Sequence, residues 1–308
     1  MKTIAVIGVH DGWSTGQLCR AFESLDCHCH LIEMDELSLD LGSGSLSWRG
    51  LDLGSLDAVV VKKIGNRYSP DLLSRLDLLE FLARVRGVPV FSPPAGMRLA
   101  VDRLSCTLTL RAANIPMPAT TITEDPAEAL KAIRAYGNAI LKPLYTSKAR
   151  GMQPVSAEED LERILAAYKA AGNEMFYVQK RVMHRGRDLG IVFLDGALMG
   201  SYARVGGSSW NTTILHGGHY EHVTPSADLV ELAQRAQAPF GLSFTCVDVV
   251  EAPEGPLIYE VSAFGGFRGL MKACELDAAT LYAEWVLGRI AGQTGTVSSR
   301  DANRSLEN

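Results

Sequence analysis

The alternation of short apolar runs with amphipathic stretches over the first 91 residues is the strongest constraint on what this chain can fold into. Residues 2–9 (KTIAVIGV), 27–33, 58–62 (AVVVK) and 88–91 read as strands, and 17–25 and 70–86 as helices. Strands joined by helical crossovers pair in parallel, and such a sheet is covered on both faces. Gly8, Gly12 and Gly16 fall in the first strand–helix connection, spaced four and four. A dinucleotide turn needs G-x-G-x-x-G, so a nicotinamide-dependent oxidoreductase lacks its fingerprint here. The connection reads instead as a turn lining a cleft, with Trp13 as its contact residue.

Beyond residue 92 the pattern changes. Ser92-Pro93-Pro94 closes the first unit, a helix spans 97–113, and Pro116 and Pro118 hold the next connection extended. A strand at 119–122, a helix at 125–136, a strand at 139–142, a helix at 157–171 and a strand at 175–180 follow. Residues 187–204 form an antiparallel hairpin turning at Asp195-Gly196. The segment 206–222 reads as irregular, with a helix at 226–240 and a last helix at 277–291. The expected class is α/β, turning to α+β in the C-terminal part. Its units are 1–92, 93–184 and 185–291, followed by a polar, disordered tail at 292–308.

The 308 residues are enough for two or three subdomains, and 47% hydrophobic against 21% charged residues is ordinary for a globular chain. A net charge of −5 argues against a nucleic-acid surface, which carries a basic excess. No apolar run reaches the roughly 18 residues of a membrane span, and MKTIAVIGV reads as a buried strand rather than a signal peptide, so a cytoplasmic location is expected. The six cysteines show no paired framework and read as buried thiols. In Cys27-His28-Cys29-His30 the strand period sends the cysteines to one face and the histidines to the other, so the four cannot share an ion. His216, His219 and His222 are spaced for one helix face, but Gly217-Gly218 makes that backbone irregular. They read as structural or substrate-contacting.

The stretch Asp248–Leu270 (DVVEAPEGPLIYEVSAFGGFRGL) carries the densest chemistry. Two strands flank an acidic turn at 251–255, and a hairpin would set Asp248 beside Glu260. That pair is either two solvated acids or a seat for a hard cation, which takes oxygen ligands and leaves places for phosphate oxygens. Upstream, Lys142 closes an apolar strand ahead of the loop LYTSKARGM, a suitable phosphate partner, although no Walker loop exists. Residues 177–182 run out into a hinge whose backbone could read an adenine ring. Asp188 follows at a distance suited to a ribose or cation. Arg204, at the end of a hairpin strand, could hold phosphate or carboxylate in a bidentate fashion. Arg268, just past the acids, suits an anionic substrate group.

This ordered series resembles the RimK-type ATP-grasp ligases, the group of glutamate ligases and LysX-like amino-group ligases, and among them the ATP-grasp member of GAK gene clusters. The matching passages are AVDRLSCTLTLRAANIPMPATTI, NAILKPLYTSKARGM, FYVQKRVMHRGRDLGIVFLDG, the Gly-Gly of ILHGG, and CVDVV…IYEVSAFGGFRGL. The resemblance implies an ATP-grasp fold, a small α/β domain followed by two subdomains that clasp ATP. It also implies ATP-dependent joining of a small-molecule or peptide carboxylate to an amine through an acyl phosphate, in a homodimer or homotetramer. Lys142 then corresponds to a phosphate-binding lysine and Arg204 to the arginine steadying the acyl phosphate. Gln179, Lys180 and Val182 fall at the adenine hinge, Asp188 at the nucleotide-contacting acid, and Asp248 and Glu260 at ligands for one or two Mg2+ (or Mn2+) ions. The chain departs from the family at five places, one being the glycine-rich phosphate loop, which is degraded to TSKARG. Ser262 stands where an asparagine is usual, Arg103 where a lysine is, and Thr213 where the asparagine before Gly-Gly belongs, with Asn211 close by. Gly265-Gly266 replaces Pro-Gly. These departures leave a second reading open, a nucleotide-binding sensor or scaffold with weakened catalysis.

Overall fold

The computed structural model describes residues 1–183, 186–206, 212, 214 and 217–292. The chain begins with β1 (Lys2–Ile7), α1 (Trp13–Ser24) and β2 (Cys27–Ile32). A small antiparallel sheet of β3 (Leu37–Asp40), β4 (Ser45–Trp48) and β5 (Leu51–Asp52) comes next, then β6 (Ala58–Val61), α2 (Asp71–Val85) and β7 (Val90–Phe91). The first sheet has the order β2-β1-β6-β7 with every pair parallel, as the alternation requires. Two details differ from expectation. The helix α1 starts at Trp13, four residues earlier than its apolar periodicity suggests. The β3–β5 sheet was not anticipated, although LSLD and SLSW alternate with period two.

In β2 the alternation separates the two residue types. Cys27 and Cys29 pack in one core cluster with Cys19 of α1, while His28 and His30 stand edge to face with centroids 4.4 Å apart, His30 reaching toward Trp48.

The single helix expected at 97–113 is two, α3 (Pro94–Val101) and α4 (Arg103–Ala112). Asp102 between them is extended, and its carboxylate accepts from the Leu104 N–H at 2.9 Å and the Ser105 hydroxyl at 2.9 Å. An aspartate that caps a new helix in this way supplies the acceptors its first turn lacks, and Arg103 becomes that helix's first residue.

The second sheet comprises β8 (Thr120–Thr123), β9 (Asn138–Leu141), β10 (Gln153–Ser156) and β11 (Phe176–Lys180), ordered β10-β9-β11-β8. Helices α5 (Pro126–Tyr136) and α6 (Leu161–Ala170) close a core of its own around Ile133, Leu141, Leu165 and Phe176.

The third sheet is built from β12 (Arg187–Leu194), β13 (Ala197–Val205), β14 (His219–His222), β15 (Phe244–Ala252) and β16 (Gly255–Ser262), ordered β14-β13-β12-β15-β16. The β12–β13 turn uses positive φ at Asp195 (51°) and Gly196 (77°), the geometry that matches strand twist in a two-residue hairpin. Strand β14 corrects the irregular reading of 206–222. Of the series His216, His219 and His222, His219 and His222 lie three apart on that strand and so on opposite faces, while His216 and the tail at 293–308 lie outside the described residues. Helix α7 (Ala227–Gln237) precedes β15, and α8 (Phe267–Cys274) and α9 (Ala278–Ile290) follow β16. Helix α8 starts directly after Gly265-Gly266, where glycines in sequence argue for a loop.

The first and third sheets share their cores. Ile4, Val6, Leu18 and Phe22 pack with Val192, Phe244, Phe267 and Tyr282, while the opposite face of the first sheet packs with α2, α3 and Val247. The Ser92 hydroxyl accepts from the backbone N–H groups of Ser243 (3.0 Å) and Phe244 (3.4 Å), tying the end of the first unit to the start of β15. The second sheet stands apart with its separate core, leaving a cleft between it and the third.

Candidate active site

The cleft takes its chemistry from strand ends. Its walls include Tyr68, Arg103, Thr146, Ser147, Glu260 and Ser262. From the second sheet comes Lys142, one residue past β9 and 7% exposed. Its ammonium donates to the Gln179 side-chain oxygen and lies 5.4 Å from the centre of the Tyr259 ring. Burial, with the nearby Arg103 charge, pushes its pKa down to about 7, and Glu260 opposes the shift. A buried ammonium whose partner is a neutral amide is half of an ion pair, and an anionic ligand completes it.

Gln179 lies on β11, ahead of the expected hinge. Its side chain turns into the protein, accepting from Lys142 and donating to Thr120 Oγ1 at 3.1 Å. The backbone N–H of Lys180 is taken by Ala119 O and that of Arg181 by Asn138 O, and Val182 follows directly. The loop after Lys142 bends through positive φ at Lys148, Ala149 and Gly151, and the Thr146 hydroxyl donates to Arg150 O at 2.7 Å.

The third sheet supplies the charged cluster. Asp188 on β12 is paired in register with Arg204 on β13, and Asp248 on β15 with Glu260 on β16. Arg204 donates to the Asp188 carboxylate and also reaches Asp248 Oδ2 at 2.8 Å. The Thr212 hydroxyl donates to Asp188 as well. Burial works against the Arg204 charge, but Asp248 and Asp188 outweigh it and hold its pKa well above the usual value. Asp248 is driven the other way for a carboxyl. Burial raises it to about 7, with Arg204 opposing and the Glu260 and Asp188 charges adding to the rise. Around it two carboxylates share one guanidinium, and Glu260 adds a third negative charge, with Arg103 3.7 Å from it. Arg103 is fixed by its Nε donating to Pro143 O at 2.9 Å.

Ser262 pairs with Cys246 two residues along the same strands, on the Asp248–Glu260 face, and its hydroxyl accepts from the Phe264 N–H at 3.3 Å. Arg268, exposed in the first turn of α8, stacks over Trp13 at 5.1 Å, so the two substrate candidates from opposite ends of the chain meet. Asn211 and Thr213 lie outside the described residues.

The residues of 100–286 match the RimK-like ATP-grasp domain. The chain belongs to that family. A tetrahydromethanopterin:alpha-L-glutamate ligase of Methanocaldococcus jannaschii is 29% identical over 241 residues, 76% of this chain and 80% of that protein. A ribosomal protein bS6–L-glutamate ligase of Salmonella paratyphi B is 24% identical over 268 residues, 83% of this chain and 87% of that one. Among solved structures, a RimK domain ATP-grasp protein from Sphaerobacter thermophilus superposes with a TM-score of 0.72 at 23% identity, covering 93% of this chain and all of that one.

Within this RimK-like fold one buried cation escaped the sequence reading. Lys62, just past β6, is 2% exposed and donates to the carbonyls of Phe264 (3.1 Å) and Gly265 (3.3 Å). The signal was available, because AVVVK repeats the pattern of AILK, a lysine directly closing an apolar strand. No helix among the described residues is long and apolar enough to cross a membrane.

Proposed function

We propose that this RimK-like protein phosphorylates a carboxylate of an amino acid or peptide with ATP and transfers the acyl group to an amine, forming an amide or peptide bond and releasing ADP and phosphate. It is an ATP-grasp carbon–nitrogen ligase, as its relatives' names also indicate. The observation that supports the reading best is the charged cluster of Asp188, Arg204, Asp248 and Glu260 on the third sheet, with Glu260 lining the cleft and Lys142 close enough to feel its charge. In our reading, residues 93–184 and 185–291 are the clasping subdomains, and 1–92 completes the site from the side.

The residues fit a hard divalent cation. Mg2+ needs only one or two protein carboxylates beside the phosphates it bridges. The Asp248 and Glu260 carboxylates stand opposite each other on neighbouring strands, which suits a cation held by both. Asp248 and Glu260 would hold Mg2+ or Mn2+, and Ser262 is the position for a second ion. When bound, the metal neutralises phosphate charge and aligns the transferring group.

The protein's own groups account for the remaining steps. A carboxylate oxygen of the substrate attacks the γ-phosphorus and the bond to the ADP oxygen breaks. The amine then attacks the acyl carbon and phosphate departs with the electron pair of the broken C–O bond, the proton lost by the amine passing to the released phosphate. Lys142 pairs with the phosphates, and Arg204 faces the charge that gathers on the transferring group. Holding such charges in a dry cleft is the principal contribution of phosphoryl-transfer sites. Arg268, backed by Trp13, receives an anionic group of the substrate. Val182 and the backbone around Lys180 face the adenine.

The test is ADP release from ATP and Mg2+ with a panel of amino acids and acidic peptides. We expect turnover with at least one acceptor, its loss in Lys142→Met, and a raised carboxylate KM in Arg268→Ala. Nucleotide-dependent thermal stabilisation without turnover on any acceptor would instead favour a binding role.

A further inference from the structure

The turn joining the metal-facing strand β16 to α8 is gripped from both sides. On one side the Ser262 hydroxyl accepts from the Phe264 N–H. On the other the Lys62 ammonium donates to the carbonyls of Phe264 and of Gly265, at 3.1 and 3.3 Å. The same ammonium lies 3.7 Å from the centre of the Phe267 ring and 5.0 Å from that of Phe244. It therefore has acceptors for two of its protons and the face of an aromatic ring for its charge, the combination that makes a buried cation tolerable. The turn has no slack elsewhere. Gly266 sits at φ 98°, and a Cβ there would press on Phe244 at 3.1 Å and Val192 at 3.2 Å.

Lys62 belongs to the first sheet, outside both clasping sheets, and touches neither carboxylate. Everything it holds lies between two parts of the site: Glu260 and Ser262 before the turn, and Arg268 in the first turn of α8 after it.

We propose that Lys62 is a positioning residue for the metal and substrate sites: through the Phe264 and Gly265 carbonyls, and jointly with Ser262, it sets where Glu260 presents its carboxylate and where α8 begins. The first unit of the chain is thereby a working part of the ligase site. This rests on the reading of Asp248 and Glu260 as metal ligands. Outer groups that orient metal ligands are typically worth about 10–100-fold in metal affinity.

The experiment measures ADP binding by calorimetry to the full chain, with and without Mg2+, for wild type, Lys62→Met, Ser262→Ala and the double variant. Methionine keeps the stem's volume and removes the donors. We expect Lys62→Met to leave metal-free ADP affinity unchanged, because Lys142, Asp188 and the hinge are untouched, and to raise the half-saturating Mg2+ concentration about 10-fold. The double variant is expected to be less than additive, because both side chains hold the backbone of Phe264, one at its N–H and the other at its carbonyl. An unchanged Mg2+ requirement, or strict additivity, overturns the proposal while leaving the ligase reading intact. Equal loss of metal-free and Mg2+-supported binding assigns Lys62 to folding alone and also overturns it. A wild type that binds ADP with no Mg2+ dependence sinks both readings. If Lys62→Met is poorly folded, Lys62→Gln, which removes the charge and keeps a neutral amide NH2 on a shorter stem, carries the same comparison.

Discussion

Arg204 and Asp248 sit on strands that flank β12 from opposite sides, yet the guanidinium spans that strand to reach the Asp248 carboxylate at 2.8 Å while it also holds Asp188. One cation thus serves two buried acids. Arg204→Met should therefore be severe, because it strands both carboxylates without a counter-charge. Breaking a buried pair from one side costs about 3–5 kcal/mol. We expect a urea midpoint lowered to match, with partial recovery on adding Mg2+ and ADP. A stability loss below about 1 kcal/mol, the range of an exposed pair, would contradict the arrangement.

Lys142 gives a pH dependence with a definite sign. Its pKa falls from 10.5 in the unfolded chain to about 7 in the fold because burial disfavours the charge. Between those values the unfolded chain carries a proton that the folded chain lacks, so stability rises with pH from about 7 upward. Below pH 7 both states are protonated and the full cost of burying the charge is present. In the nucleotide-free protein, Lys142→Met should flatten the rise seen between about pH 7 and 9 relative to wild type, by chemical denaturation. Phosphates would restore the charged form, so wild-type ATP binding at pH 8 should take up protons. Calorimetry in two buffers of different ionisation enthalpy reads that uptake, and equal heats in both buffers would rule it out.

The Tyr202 ring, buried behind Arg204 and Asp248, leaves no space at Gly190 or Gly269, where a Cβ would overlap it. Gly269→Ala should cost about 1–3 kcal/mol through overpacking. Combining it with Tyr202→Leu, which vacates part of the space, should cost less than the sum of the two single changes. Urea midpoints for the four proteins provide the check, and strict additivity would show that the ring and the glycine are not in conflict.

The strand–helix alternation announced the parallel first sheet, and Asp195-Gly196 announced its hairpin, because both signals are local. Elements that escaped were short or masked by composition. Strand β14 lies in a His- and Gly-rich stretch, and α8 begins within Gly265-Gly266-Phe267, where glycines normally argue for a loop. The helix division at Asp102 was equally hidden, since Asp102 lies inside an unbroken helical periodicity and only its extended backbone reveals it as a cap.

By itself the sequence determined which residues could carry charge to a nucleotide and in what order they occur: Lys142, Asp188, Arg204, Asp248 and Glu260. Strand period and hairpin pairing were enough to place Asp248 beside Glu260. Only the tertiary structure decided who partners whom across the chain. It put the Gln179 side chain on Lys142, Arg204 between two acids from different strands, and Arg268 on Trp13. It also carried Lys62 202 residues along the chain to the Phe264 carbonyl. These contacts depend on how three separate sheets pack, and packing is set by the summed burial of apolar faces rather than by any short run of residues.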